Sequence, residues 1–144
     1  MILVDANLLV YAATAQAPQH RKARDWLEER FARPERVGLP WESLVAFVRI
    51  ATNVRINARA ARPAEAWGQV EAWLDAPSAW IPQPTDRHRE SLGTLLTLTG
   101  AAGVDVHDAH LAALALQHGL VVCSADSDFA KFPAVRWENP LAPG

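Results

Sequence analysis

Apolar residues follow two rhythms along this chain, and the alternation between them predicts its architecture. Short, mostly apolar runs at residues 2–5, 37–39, 80–81, 120–123 and 135–137 have the length of buried strands. Between them, apolar positions recur at helical spacing. Asn7 begins a turn after the first strand. Pro18 opens a helix with Ala23, Trp26 or Leu27 and Phe31 on one side, and Pro34 stops it. A second helix begins near Pro40 and carries a stripe of Leu44, Val45, Val48 and Ala51. Pro63 opens a third, with Trp67, Val70, Trp73 and Leu74. Thr85 caps a fourth, whose inward residues are Leu92, Leu95 and Leu96 and which Gly100 closes. Residues 107–118 form the most apolar helix, ended by Gly119.

Strands separated by helices require crossover connections. The expected class is therefore α/β, a mostly parallel five-stranded sheet flanked by helices in three layers. The 144 residues suit one domain spanning 1–144, and no repeat, linker or low-complexity segment divides them.

This architecture gives meaning to four acids. Asp5, Glu42 and Asp126 each follow a strand, which puts them at the carboxyl edge of a parallel sheet, where ligands bind. Asp108 opens the helix that leads into the fourth strand and faces the same edge if that helix packs closely. Taken alone, each acid reads as a turn residue or a helix cap. Together they repel unless a cation sits between them. A donor set of carboxylates, with no cysteine pair, suits Mg²⁺ or Mn²⁺ rather than zinc. Such an ion activates water against a phosphodiester, so metal-dependent hydrolysis of a nucleic acid backbone is the economical reading.

Composition narrows the setting. Half the residues are apolar, yet no uninterrupted apolar stretch approaches the roughly 18 residues a membrane helix needs. The N-terminus lacks the basic start of a signal peptide, and the single cysteine, Cys123, has no disulfide partner. A soluble, cytoplasmic protein with no membrane attachment is expected. Net charge is −2, unevenly spread. Residues 21–62 hold ten basic and five acidic side chains, whereas Lys and Arg are absent between Arg89 and Lys131. The basic segment has two readings, a solvated helix face (Arg21, Lys22, Arg24, Arg30, Arg33) or a phosphate-binding track that includes Arg49, Arg55, Arg59 and Arg62.

Four segments carry a resemblance to a known family. They are Val4-Asp5-Ala6-Asn7-Leu8-Leu9-Val10-Tyr11, Glu42 with the helix after it, Asp108-Ala109-His110-Leu111-Ala112-Ala113-Leu114-Ala115, and Gly119-Leu120-Val121-Val122-Cys123-Ser124-Ala125-Asp126-Ser127-Asp128-Phe129. With the closing Asn139-Pro140-Leu141, they resemble a PIN-domain ribonuclease of the VapC type, a toxin of bacterial toxin–antitoxin pairs. Their order and spacing carry the likeness. The resemblance implies a PIN-like sheet, Mg²⁺-dependent endonuclease activity on an RNA substrate, a homodimer, and neutralisation by a small VapB-like antitoxin. It also implies that Asp5 and Asp108 are metal carboxylates, that Glu42 completes the site, and that Asp126 is a fourth acid often acting through water. Asn7 and Ser124 then stand near the metal as turn-formers or supports.

Several features are read conservatively. Asp105 fits a helix cap, and Asp128 a cap for the turn ahead of Phe129. His107 and His110 lack a third nitrogen or sulfur partner, so they read as near-site polar residues rather than zinc ligands. Trp26, Trp67 and Trp73 lie on apolar stripes and are assigned to the core; Trp41, beside Glu42, is the candidate for base stacking. Residues 55–95 hold no recognisable motif.

Two other functions are compatible with parts of the pattern. A phosphatase of the haloacid-dehalogenase type also places Asp after its first strand, but needs a second Asp where this chain has Asn7, and a later Lys. A non-catalytic RNA-binding or protein-interaction domain would share the fold with a degenerate site.

Overall fold

The computed structural model describes residues 1–143. Five short strands, β1 (Ile2–Val4), β2 (Val37–Gly38), β3 (Ala79–Trp80), β4 (Val121–Cys123) and β5 (Trp137–Glu138), form one sheet in the order β3-β2-β1-β4-β5. Every neighbouring pair is parallel. β1 lies at the centre, with Ile2 opposite Val37 on one side and Val121 on the other.

Side-chain alternation along so short a strand divides the core. Ile2 and Val4 of β1 face a cluster built with α1 (Ala6–Ala13), α2 (His20–Ala32), α3 (Trp41–Ala51) and α4 (Pro63–Leu74). Leu3 and Val122 face the opposite cluster, with α5 (His88–Thr99), α6 (Asp105–His118) and a 3₁₀ turn at Ser127–Lys131. Three layers result. The first cluster is finished by Phe47 against Trp73, edge to face at 4.8 Å between ring centroids, and the second by the fully buried Phe129 and Phe132. Gly100 and Gly119 close α5 and α6 in the left-handed conformation, with φ of 65° and 66°.

Four local expectations are corrected. Asn7 does not begin a turn; it lies inside α1, because the Asp5 carboxylate caps that helix and Leu8, Leu9 and Ala12 supply its buried face. On α3 the inward stripe runs through Leu44, Phe47 and Val48, and Val45 is 61% exposed. On α4, Ala66, Val70 and Trp73 are buried, whereas Trp67 is 45% exposed and stacks parallel to Trp41 at 6.3 Å. Both errors have one cause: a tryptophan or valine beside the true stripe mimics helical spacing, and only the neighbouring helix decides which is covered. Finally, Thr85 does not cap α5, whose N-cap is Arg87. The Thr85 hydroxyl instead accepts from the Arg87 N–H and shapes the turn before the helix.

Glycine at position 38 follows from the packing of β2. A Cβ there would lie 2.9 Å from the Ile2 carbonyl oxygen, a backbone atom that cannot turn aside. Gly68, in the middle of α4, faces open space. Gly38→Ala should therefore cost about 1–3 kcal/mol, whereas Gly68→Ala should gain about 0.5–1 kcal/mol. At roughly 4 °C per kcal/mol for a chain of this size, thermal melts should move in opposite directions. A Gly38→Ala protein melting at or above the wild-type temperature would contradict the β1–β2 register.

Candidate metal-dependent nuclease site

Three helix N-termini, those of α1, α3 and α6, come to the carboxyl edge of the sheet, because each helix runs antiparallel to the strand it follows or precedes. Their partial positive charge favours acids there. Asp5 ends β1 and is buried, with 8% of its surface exposed. One carboxylate oxygen accepts from the Ala6 N–H at 2.8 Å, and the other from the Ser124 hydroxyl at 2.7 Å and the Asn7 amide at 3.4 Å. Ser124 Oγ also accepts from Asn7 Nδ2 and from the Asp126 N–H, both at 3.0 Å. The ends of β1 and β4 are thus tied together by side chains 119 residues apart. Asn7 and Ser124 both hydrogen-bond the Asp5 carboxylate and each other.

Asp108 lies in the first turn of α6, and its carboxyl is pushed up to about 6 from an ordinary 3.8. Burial is the largest cause, followed by the charges of Asp5, Asp126, Asp105 and Asp128. Burial likewise raises Asp5, against the opposing hydrogen bonds of Ser124 and Ala6. Glu42, in the first turn of α3, goes the other way: a hydrogen bond from His110 Nε2 at 3.0 Å holds it below its usual range. Of the four acids expected to converge, the charges of Asp5 and Asp126 reach Asp108, and that of Asp126 reaches Asp5. Glu42 flanks them through His107, whose charge lowers both Asp5 and Glu42.

Two acids set aside as caps join the cluster. α6 begins at Asp105 with Val104 as its N-cap, and Asp105 instead pairs with Lys131 at 2.8 Å. The cap of the 3₁₀ turn is Asp126, which accepts from the Asp128 N–H at 2.8 Å and leaves the Asp128 side chain free of that task. Asp105, Asp108 and Asp128 each offer a carboxylate oxygen within 4.8 Å of the others. The i, i+3 spacing of Asp105 and Asp108 was the available signal, since both lie on one helix face.

An all-oxygen donor set with this much mutual repulsion fits a hard divalent cation such as Mg²⁺ or Mn²⁺. Two carboxylates about 5 Å apart repel by roughly 3 kcal/mol at an effective dielectric near 20, and a cation between them reverses the sign. Cys123 offers no alternative chemistry: it is buried, and its thiol is pushed up to about 12, first by desolvation. Beside the acids lies a shallow depression of about 510 Å³ lined by Trp41, Glu42, Val45, Ala46, Arg49 and His107. A slightly larger hollow, about 550 Å³ between α1, α3 and α4, contains none of the edge acids.

Comparison with known proteins agrees with this geometry. The PIN domain family model matches residues 2–135. Ribonuclease VapC37 of Mycobacterium tuberculosis (strain ATCC 25618 / H37Rv) is 44% identical over 142 residues, covering 99% of both chains. VapC ribonuclease Mb2897 of Mycobacterium bovis is 40% identical over 141 residues, covering 98% of this chain and 96% of its own. Among solved structures, VapBC2 from Rickettsia felis bound to a DNA fragment from its promoter superposes with a TM-score of 0.71 at 15% identity, covering 96% of this chain and 98% of that one. VapBC-1 from nontypeable Haemophilus influenzae gives 0.69 at 14% identity, covering 99% and 100%. With its parallel sheet, its edge of carboxylates and relatives that match it nearly end to end, the chain belongs to the PIN-domain family, among the VapC proteins.

Proposed function

We propose that this protein is a Mg²⁺-dependent endoribonuclease toxin that hydrolyses phosphodiester bonds of cellular RNA in the cytoplasm. It acts as a homodimer and is neutralised by a small cognate antitoxin. The observation that carries this reading is the gathering of carboxylates at the sheet edge, where Asp105, Asp108 and Asp128 each place an oxygen within 4.8 Å of the others and the charges of Asp5 and Asp126 also reach Asp108. The names of the relatives, ribonucleases, and the VapBC complexes among the structural neighbours support it. Asp5, Glu42, Asp108 and Asp126 are the residues that would hold the ion, together with Asp105 and Asp128, whose carboxylate oxygens lie within 4.8 Å of each other and of that of Asp108. When bound, Mg²⁺ or Mn²⁺ supplies activation of water and neutralisation of charge on the phosphate. Asp5, fixed by three hydrogen bonds, gives the site a rigid reference point. Arg49 offers a guanidinium to a backbone phosphate, and Trp41, 38% exposed, offers a face for a base. The phosphatase reading is not favoured: the Asn7 amide is spent on Ser124 and Ala125 rather than standing as a second carboxylate.

Asp108→Asn should reduce RNA cleavage by at least about 100-fold, roughly 2.7 kcal/mol of barrier, while leaving the metal-free fold at least as stable as wild type. The pH dependence has a definite sign. In EDTA the folded Asp108 carboxyl titrates near 6 and the unfolded one near 3.8, so the folded protein holds the extra proton between them. This group's contribution is fully present below about 4 and is lost as pH rises through about 6. Thermal melts in EDTA should show that loss in the wild type and a flatter profile in Asp108→Asn. Saturating Mg²⁺ should restore the wild type at pH 7 more than the mutant. Parallel profiles with no response to Mg²⁺ would refute the shared site.

Binding of single-stranded RNA to the inactive Asp5→Asn protein should weaken with salt, with a slope near −0.7 per phosphate contact. Arg49→Glu should flatten that slope by about one contact's worth. Arg62→Glu should not change it, because Arg62 is paired with Glu65 at 2.8 Å. A slope indifferent to Arg49 would place the RNA path off the depression beside Glu42.

A further inference from the structure

A polar chain runs from the turn before α5 to Glu42, and its hydrogen-bond directions can be read from its far end. Gln117 Nε2 lies 2.9 Å from the Ala113 carbonyl and 2.6 Å from His88 Nδ1. Gln117 Oε1 lies 2.9 Å from the Thr85 backbone N–H and 3.0 Å from its hydroxyl. Only one orientation of the amide works, since the reverse would set oxygen against the Ala113 carbonyl and NH₂ against the Thr85 N–H. Gln117 therefore donates to His88 Nδ1, which must carry a lone pair, so the His88 proton sits on Nε2. His88 Nε2 is 3.0 Å from His110 Nδ1 and donates to it. The His110 proton is then on Nε2, which donates to Glu42 Oε1 at 3.0 Å.

Each donor in this chain has an acceptor, and from Gln117 through His88 and His110 the donors run in series toward Glu42. The helix supplies the spacing: His110 and Gln117 are seven residues apart on α6, two turns along one face. The rings of His88 and His110 meet edge to face at 4.8 Å between centroids.

We propose that Gln117, His88 and His110 form a positioning relay that orients the Glu42 carboxylate for the divalent cation, a proposal that rests on the reading of Glu42 as part of the metal site. The relay has a chemical advantage over a salt bridge. Asp105 is paired with the Lys131 ammonium, which cancels its charge. A neutral imidazole donor fixes Glu42 while leaving its charge for the cation. Donors aligned in series also polarise one another and strengthen the final bond. His88 and Gln117 touch no edge acid themselves, so their effect on the cation passes through His110 and Glu42.

The test uses the full chain. In the metal-free wild type, ¹⁵N–¹H spectra of the imidazoles should show His88 and His110 both protonated on Nε2 and bare on Nδ1. His88→Phe and Gln117→Leu should blur the His110 tautomer and weaken Mg²⁺ binding, measured by calorimetry, by about tenfold or more. Cleavage should lose kcat with KM for RNA unchanged. His88→Gln, which keeps an N–H donor, should recover most of the Mg²⁺ affinity. Glu42→Gln separates the two ideas. If it weakens Mg²⁺ binding while both relay variants bind as wild type, the relay is overturned and the metal site stands. If Glu42→Gln binds Mg²⁺ like the wild type, the metal reading of Glu42 falls and the relay falls with it. Protonated Nδ1 on His110 in the wild type overturns the relay outright.

Discussion

The Ser124 hydroxyl holds the carboxyl edge in register. A hydroxyl has one donor and two acceptor positions, and here all three are used, on Asp5, Asn7 and the Asp126 N–H. Because Asp5 ends β1 and Ser124 follows β4, these bonds lock the two central strands at the point where their backbone pairing stops. The Asp5 N–H bonded to the Cys123 carbonyl at 3.0 Å is the last backbone rung before that lock. Asp5 also caps α1, so one carboxylate sets the end of a strand, the start of a helix and the floor of the site. Its elevated pKa is the cost of burying a charge to do so, moderated by the hydrogen bonds it receives.

Much of the fold was legible because burial on both faces of a parallel sheet leaves uninterrupted apolar runs, and helices between them leave spaced ones. Helix α1 was not legible. Asp5-Ala6-Asn7 has the composition of a turn, and the capping bond from Ala6 N–H to Asp5 that makes it a helix start is a local choice settled by packing of Leu8 and Leu9. Trp67 was assigned to the core on spacing, yet its nearest aromatic partner is the half-exposed Trp41 rather than the interior. Asp105 and Asp128 were discounted as caps because a single acid before a helix usually is one. What the sequence could not show is that Val104 and Asp126 occupy those cap positions, freeing the other two for the cluster. His88 lies in the stretch without a motif, and only the tertiary contact of α5 with α6 gives it a role.

The acids at the edge fall into two kinds, distinguished by what compensates them. Asp105 is paired with Lys131, and Glu42, hydrogen-bonded by His110, is held below its usual range. Among the described residues no cationic side chain pairs directly with Asp5 or Asp108, and both are raised, first by burial. Lys131 is engaged with Asp105, Arg24 and Arg33 with Asp25 and Glu29 on α2, and Arg62 with Glu65 on α4. The absence of Lys and Arg from 90–130 is therefore a structural statement as well as a compositional one. Lys131, which ends the 3₁₀ turn after β4, is the basic side chain that pairs across to α6, and it does so at Asp105 rather than at Asp5 or Asp108.

That arrangement separates affinity for a cation from stability without one. A lysine among Asp5, Asp108 and Asp126 would relieve the repulsion permanently and leave nothing for an external ion to gain. Under the proposed reading, repulsion left in place would make the folded edge worse by itself and better with a divalent ion, so that binding and stability would be linked through the same carboxylates. The rigid parts, Ser124 with Asn7 on one side and the imidazole chain behind Glu42 on the other, keep the acids from relaxing apart when the ion is absent. The upward shift of Asp108 records its burial first and the neighbouring carboxylate charges second.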